Sequence, residues 1–183
     1  MALSDDVSRA AEAAAALAGA GETILGVVPA EPRSGERRYL VAYERGEERS
    51  WLVLDAQGSP VTDREDVRRT ASIAATCELA EESAGGGELD ELRERLVSLR
   101  MTEAPPGIED AEEAALELQH VIGSPPRVAE PAYLDRVGAA TRRLELALGQ
   151  PGTSPFAEAM KAGTGSIEDF VQHVESSYRQ PLG

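Results

Sequence analysis

The pattern of hydrophobic and polar positions predicts three strands in the first third of the chain. Residues 22–31 form a short β-branched run closed by prolines, which is typical of a strand. Two further apolar runs, residues 37–45 and 48–55, are separated by a Gly-Glu pair at 46–47. A glycine in a two-residue connection favours a β-hairpin. Together the three runs predict an antiparallel meander.

Both faces of the predicted hairpin are apolar. When Glu44 is paired with Arg49 across the turn, the two opposite charges support the register. Side chains alternate between the two faces of a strand. One face then carries Tyr39, Val41, Tyr43, Leu52 and Leu54, and the other carries Leu40, Ala42, Trp51 and Val53. Because neither face has a polar residue at its centre, we expect helices or a second chain to cover both.

Helical patterns flank the predicted sheet on both sides. Residues 4–18 have one apolar face and begin with two aspartates, which predicts a helix capped by Ser4. After the sheet, Thr62 and Glu65 have the spacing of a capping box at the start of a second helix. The small side chains of this helix indicate close packing across one face of the hairpin. We therefore expect Cys77, which lies among them, to be buried and inert.

Three glycines at residues 85–87 mark the predicted boundary between two regions. Residues 1–84 are predicted to form an α-β-β-β-α unit, and residues 85–183 a helical region of about five helices separated by short Pro- and Gly-rich breaks. Ser166 is predicted to cap the last helix. The fold class is therefore α+β, an N-terminal three-stranded antiparallel β-meander with flanking helices followed by a mostly helical C-terminal region. The two regions are either separate domains or packed as one.

An excess of acidic residues makes some classes of binding partner unfavourable. The chain of 183 residues has 33 Asp and Glu against 18 Lys and Arg, and its formal net charge of −15 is spread along the sequence. Such a charge repels phosphate backbones and anionic lipids, so we expect neither nucleic-acid nor membrane binding. Asp5 and Asp6 lie where a signal peptide needs positive charge, and no apolar stretch approaches the ~20 residues of a membrane span. The predicted location is the cytoplasm.

No motif in the sequence carries catalytic or metal chemistry with specificity. Glu117 and His120 have the Glu-x-x-His spacing of di-iron bundles, but such a site needs a second pair and two further glutamates. On a helical wheel both residues lie opposite the apolar stripe, so they are weak metal candidates that face water. The single cysteine excludes an internal disulfide. We therefore expect a non-catalytic protein without a cofactor.

Three hypotheses for function follow. The first is a non-catalytic interaction or accessory protein that forms a homodimer or binds a protein partner, with Tyr39, Val41 and Tyr43 either in the core or at the interface. The second is a small-molecule-binding or sensory module with an apolar pocket between sheet and helix, lined by Trp51 and the two tyrosines. The third and weakest is the carboxylate–histidine metal site.

Overall fold

The computed structural model describes residues 5–84, 87–151 and 155–183, without the side chains of residues 83–84 and 155–157. It confirms the predicted α+β class, with 59% helix and 19% strand. The elements are α1 (Asp5–Leu17), β1 (Thr23–Arg33), β2 (Glu36–Arg45), β3 (Glu48–Asp55), α2 (Arg64–Ala84), α3 (Gly87–Thr102), α4 (Ile108–Gly123), α5 (Pro131–Ala147) and α6 (Pro155–Ser176). No described helix is long and apolar enough to cross a bilayer.

The three strands form one antiparallel sheet in the order β1-β2-β3. The hairpin has the predicted register, in which Glu44 lies opposite Arg49 and Ala42 lies opposite Trp51. Gly46 has a φ of 63°, a left-handed conformation that explains why the turn carries a glycine. The local turn chemistry and the alternation of side chains therefore agree on one pairing.

The chain divides into two compact units, each discontinuous in sequence. The first contains the sheet and comprises residues up to Thr76, Arg127–Pro131 and Gly165–Gly183; the second comprises Cys77–Pro126 and Ala132–Thr164. The predicted division into residues 1–84 and 85–183 stays a prediction, because Gly85 and Gly86 at its boundary lie outside the described residues.

Helix α1 covers the face of the sheet that carries the tyrosines. Ala10 and Ala14 are buried against this face, where their small side chains allow close approach. The Tyr43 hydroxyl donates a hydrogen bond of 2.9 Å to the Ala14 carbonyl. The buried side chains of this face are Tyr39, Val41, Tyr43, Leu52 and Leu54.

The opposite face lies under α2 and the part of α6 that belongs to the first unit. Its core combines Leu40, Trp51 and Val53 of the sheet with Val67, Ala71, Ala74, Val171 and Val174 of the two helices. This arrangement confirms that α2 crosses one face of the hairpin. The expectation that both faces are covered is also met, and helices of the same chain cover them.

The start of α2 differs from the predicted capping box. Asp63, rather than Thr62, caps the helix, because its Oδ1 accepts a 2.8 Å hydrogen bond from the Asp66 backbone N–H. A carboxylate at this position also interacts favourably with the positive end of the helix dipole. The predicted cap of α1, Ser4, lies outside the described residues.

The predicted break before the last helix is wrong. Helix α6 continues through residues 163–165, and Ser166 lies inside it instead of capping it. Gly163 marks a close contact, since a Cβ atom there would collide with Cδ2 of Leu79. The glycine therefore serves helix packing. The described residues after Ala84 consequently form four helices rather than about five.

The second unit is helical and has its own apolar core. Helices α3 and α4 pack against each other, and Leu96 belongs to the same buried cluster as Ala115 and Leu118. Helix α5 adds Ala140 and Leu144 to this core. Cys77, at the start of the α2 segment in this unit, is buried as predicted.

Candidate functional site

The four residues predicted to bind a ligand or partner lie on two different faces of the sheet. Tyr39, Val41 and Tyr43 are buried beneath α1, and Trp51 is on the opposite face with only 8% of its surface exposed. The tyrosine face therefore lies in the core, which is one of the two alternatives that the sequence left open for it. A binding role for these residues stays a prediction.

Trp51 is the member of this group nearest to a surface. Its ring meets Phe170 edge-on with 5.2 Å between centroids, and His173 edge-on at 6.2 Å. Phe170 is half-buried and His173 is exposed. Within the described residues, the buried Nε1 of Trp51 has no hydrogen-bond partner. One side of α6 therefore places aromatic rings beside the sheet.

The outer edge of β3 is closed by the C-terminal segment. The Trp51 N–H donates to the Ser177 carbonyl, and the Arg179 N–H donates to the Trp51 carbonyl, both at 3.0 Å. Further along, the Val61 N–H donates to the Val53 carbonyl at 2.8 Å. This edge therefore offers little backbone to another strand.

Tyr178 completes the closure of β3 with its side chain. Its hydroxyl accepts a 2.9 Å hydrogen bond from the Val53 N–H and donates a 2.6 Å bond to the Val61 carbonyl. Burial of the phenol raises the pKa of Tyr178 to about 12. The neutral hydroxyl thus makes the hydrogen bonds that a neighbouring strand would otherwise make, between the backbone of residues 177–179 and that of Val61.

The outer edge of β1, by contrast, is closed at one end. The Ala129 N–H donates to the Pro29 carbonyl at 2.9 Å, and the Glu31 N–H donates to the Ala129 carbonyl at 2.8 Å. Outward-pointing groups recur every second residue in an antiparallel strand, so the N–H and C=O of Val27 also point away from β2. Among the described residues, no backbone group outside the sheet bonds to residues 23–28. We name this segment the open edge.

The side chains of the open edge are uncharged, and two of its apolar side chains are exposed. Leu25 and Val28 expose 45% and 43% of their surfaces. Leu25 has no partner in β2, because the register shifts between Ile24 and Gly26. The run of residues 23–30 without a charge could have pointed to this edge from the sequence alone. The exposure of Leu25 and Val28 could not be predicted in this way, since burial depends on which helices cover β1.

One row of paired residues runs across the sheet from the open edge to Trp51. Gly26 pairs with Ala42, and Ala42 pairs with Trp51, so the three residues form one row across the sheet. Gly26 is exposed, and a Cβ atom at its position would meet no other atom within 4 Å. Ala42 is half-buried. The covering helices therefore leave the β1 end of this row accessible.

A separate cavity lies on the α1 side of the sheet. Its volume is about 330 Å³, and it is lined by Arg9 and Ala10 of α1, Tyr39 of β2 and the turn at residues 55–58. Tyr39 donates a 3.1 Å hydrogen bond from its hydroxyl to Oδ2 of Asp6. Burial raises the pKa of the Tyr39 phenol, and the bond to Asp6 adds to this effect.

The weak metal candidates do not gather into a site. Glu117 and His120 are both exposed on α4, and Glu117 forms an ion pair with Arg143 of α5. Across the described residues, no group of three or more His, Cys, Asp and Glu side chains could hold a metal ion. These two side chains belong to a charged helix surface.

Comparison with protein families, curated proteins and solved structures finds no match to this chain. The function is therefore inferred from the open edge, the cavity and the charge of the chain.

Proposed function

We propose that the protein is a non-catalytic interaction module that forms a homodimer through the open edge of β1. The observation that carries this proposal is the contrast between the two edges of the sheet. The edge of β3 is closed by residues 177–179 and Val61, whereas residues 23–28 of β1 pair with β2 but have no described backbone partner on their outer side. The charge of −15 argues against nucleic acid, and we place the homodimer in the cytoplasm.

An unprotected strand edge needs a physical reason to persist. Proteins usually protect an edge with charged side chains, a proline or a covering segment, because exposed N–H and C=O groups pair with other strands. In β1 such protection begins at Pro29 and Ala129. The preceding residues instead present Leu25 and Val28 to solvent. A strand that added here would satisfy the backbone of Val27 and cover both side chains.

A second copy of the chain is the partner that this edge fits. Two antiparallel β1 segments related by a two-fold axis would each supply the donors and acceptors that the other needs. Two chains of charge −15 repel each other, so the contact must avoid placing acids together. An uncharged run over residues 23–30 meets that requirement. Pairing of one short strand buries less than the ~1,600 Å² of a standard interface, so we expect a micromolar dimer.

The experiment is light scattering after size-exclusion chromatography over a concentration series up to ~100 µM, well above a micromolar Kd. We expect the wild type to shift from monomer to dimer, and Leu25→Lys and Val28→Lys to remain monomeric. Leu146→Lys is the matched control, because Leu146 is 67% exposed on α5 and lies outside the sheet. A wild type that is monomeric throughout would overturn the proposal, as would lysine variants that dimerise normally.

A backbone variant separates strand pairing from simple apolar contact. Val27→Pro removes an N–H that points outward, so the ladder between β1 and β2 keeps its hydrogen bonds. We expect this variant to be folded by circular dichroism and to be monomeric. If folded Val27→Pro dimerises like the wild type, the interface does not use the backbone of β1.

A small-molecule-binding module is the second candidate function. The cavity beside Tyr39 supports it, because about 330 Å³ falls within the usual size of ligand sites. This cavity lies on the α1 face, whereas the pocket predicted from the sequence lay beside Trp51 and α2.

A further inference from the structure

We propose that the cavity between α1, β2 and the turn after β3 binds a small zwitterion, a molecule with one carboxylate and one ammonium group such as a free amino acid. The proposal stands independently of the homodimer, because the cavity is lined by residues outside the open edge. It rests on three features of the cavity wall: a preorganised carboxylate, a guanidinium without a carboxylate partner among the described residues, and a phenol.

The turn after β3 holds the carboxylate of Asp55 in place. One oxygen of Asp55, Oδ1, accepts hydrogen bonds from the N–H groups of Gln57 at 2.9 Å and Ser59 at 2.8 Å. Within the described residues, Oδ2 has no hydrogen-bond partner. A carboxylate oriented in this way can receive an ammonium group without losing further side-chain entropy.

The same turn is held close to α1 by Gly58. This residue has a φ of 82°, and a Cβ atom there would lie 2.9 Å from Cβ of Ala13. Glycine is therefore required twice, by the backbone conformation and by the close approach. The turn that carries Asp55 is thus packed against the helix that carries Arg9.

Arg9 supplies the opposite charge. Its Nε donates a long hydrogen bond of 3.4 Å to the Asp5 carbonyl, and no carboxylate of the described residues lies within ion-pair distance of its guanidinium. The two terminal nitrogens are therefore available for a bidentate contact with a ligand carboxylate.

Tyr39 also lines the cavity. Its hydroxyl donates to Asp6, so its lone pairs can accept a hydrogen bond from an ammonium group. A simple anion in this cavity would meet the carboxylate of Asp55, and a simple cation would meet the guanidinium of Arg9. A zwitterion is the small ligand that gives each charge a partner of opposite sign.

The first experiment is isothermal titration calorimetry of the full chain with each common free amino acid at up to ~10 mM, tenfold above a Kd of about 1 mM. We expect saturable binding by at least one of them. The N-acetyl and the carboxamide forms of that amino acid each lose one charge and should bind at least tenfold more weakly. Failure of every amino acid to bind overturns the proposal, and so do derivatives that bind as tightly as the parent.

Two variants assign each charge to its partner. Arg9→Gln should abolish the preference for the carboxylate over the carboxamide. Asp55→Asn keeps an oxygen for the turn and should abolish the preference for the free amine over the N-acetyl form. Arg33→Gln is the control, because Arg33 is half-exposed at the far end of β1 and pairs with Glu36. If both preferences persist in the two variants, the ligand lies elsewhere.

The failure of this proposal and that of the homodimer are distinguishable. Titration of Val28→Lys, the predicted monomer, should give the same affinity for the amino acid as the wild type. Loss of binding in that folded variant would show that the site requires the dimer, and would contradict a site built from the residues of one chain.

Discussion

The Arg179 guanidinium lies over the ring of Tyr43, with its central carbon 4.1 Å from the ring centroid. The same side chain donates to the Leu17 carbonyl at 3.0 Å and forms an ion pair with Glu22 at 2.9 Å. It therefore joins the C-terminal segment, the end of α1 and the tyrosine face of the sheet. The contact of the guanidinium with the Tyr43 ring and its hydrogen bond to the Leu17 carbonyl both stabilise the packing of the C-terminal segment against α1 and the sheet.

Replacement of Arg179 should destabilise the first unit. Arg179→Gln removes the cation from Tyr43 and the bond to Leu17, and we expect the free energy of unfolding to fall by about 1–3 kcal/mol. Urea denaturation followed by Trp51 fluorescence measures the loss. Arg49→Gln is the control: its contact with Glu44 is 3.9 Å long and exposed, so it should change little. Equal effects of the two variants would contradict a structural role for Arg179.

The hydroxyl of Tyr178 should contribute to stability, whereas that of Tyr133 should not. Tyr178→Phe leaves the buried N–H of Val53 and the carbonyl of Val61 without this partner, which should cost about 1–3 kcal/mol. The Tyr133 hydroxyl is buried and has no hydrogen-bond partner within the described residues. Tyr133→Phe should therefore be neutral or stabilising. Chemical denaturation of both variants tests the difference, and a costly Tyr133→Phe would contradict it.

Ionisation of Tyr178 should weaken the fold at alkaline pH. The folded-state pKa is about 12, above the ordinary value of 10.0, so the unfolded chain loses this proton first. The stability that this group contributes is complete below pH 10 and is lost as the pH rises toward 12. Urea denaturation at pH 9, 10 and 11 should show a steeper decline for the wild type than for Tyr178→Phe. Parallel declines would show that other groups carry the effect.

The two candidate caps of α2 can be separated by alanine substitution. Asp63→Ala should cost about 1 kcal/mol, because it leaves the Asp66 N–H without its acceptor. Thr62→Ala should cost only a few tenths of a kcal/mol, as expected for a surface position outside the cap. Thermal unfolding of the two variants provides the comparison. A larger effect at Thr62 would restore the capping box that the sequence predicted.

The homodimer should tighten as salt is added. Each copy carries a charge of −15, and the proposed contact has no ion pair to lose. Screening shortens the Debye length from ~30 Å at 0.01 M salt to ~8 Å at 0.15 M, which reduces repulsion between the copies. Sedimentation equilibrium should therefore give a lower Kd at the higher salt concentration. A Kd that rises with salt would indicate an interface held by charged pairs instead of the open edge.

Local chemistry explains which parts of the fold could be predicted. The register of the hairpin follows from Gly46 and the pair Glu44–Arg49, which are neighbours across a short turn. The break predicted at residues 163–166 failed because glycine has two uses that a sequence does not separate. It ends helices, and it also allows close packing, as Gly163 does against Leu79.

The sequence by itself determined the elements of the sheet, its hairpin register and the need to cover both of its faces, because these depend on side-chain alternation and turn geometry over a few residues. Only the tertiary structure decided that α1 covers the tyrosine face, that residues 177–179 close β3, and that no described backbone segment pairs with the outer side of residues 23–28. The closure of β3 depends on contacts between residues more than a hundred positions apart, such as Tyr178 with Val53, and the cover by α1 depends on contacts such as that of Tyr43 with Ala14, 29 positions apart. No local pattern specifies which apolar surface such a distant segment covers.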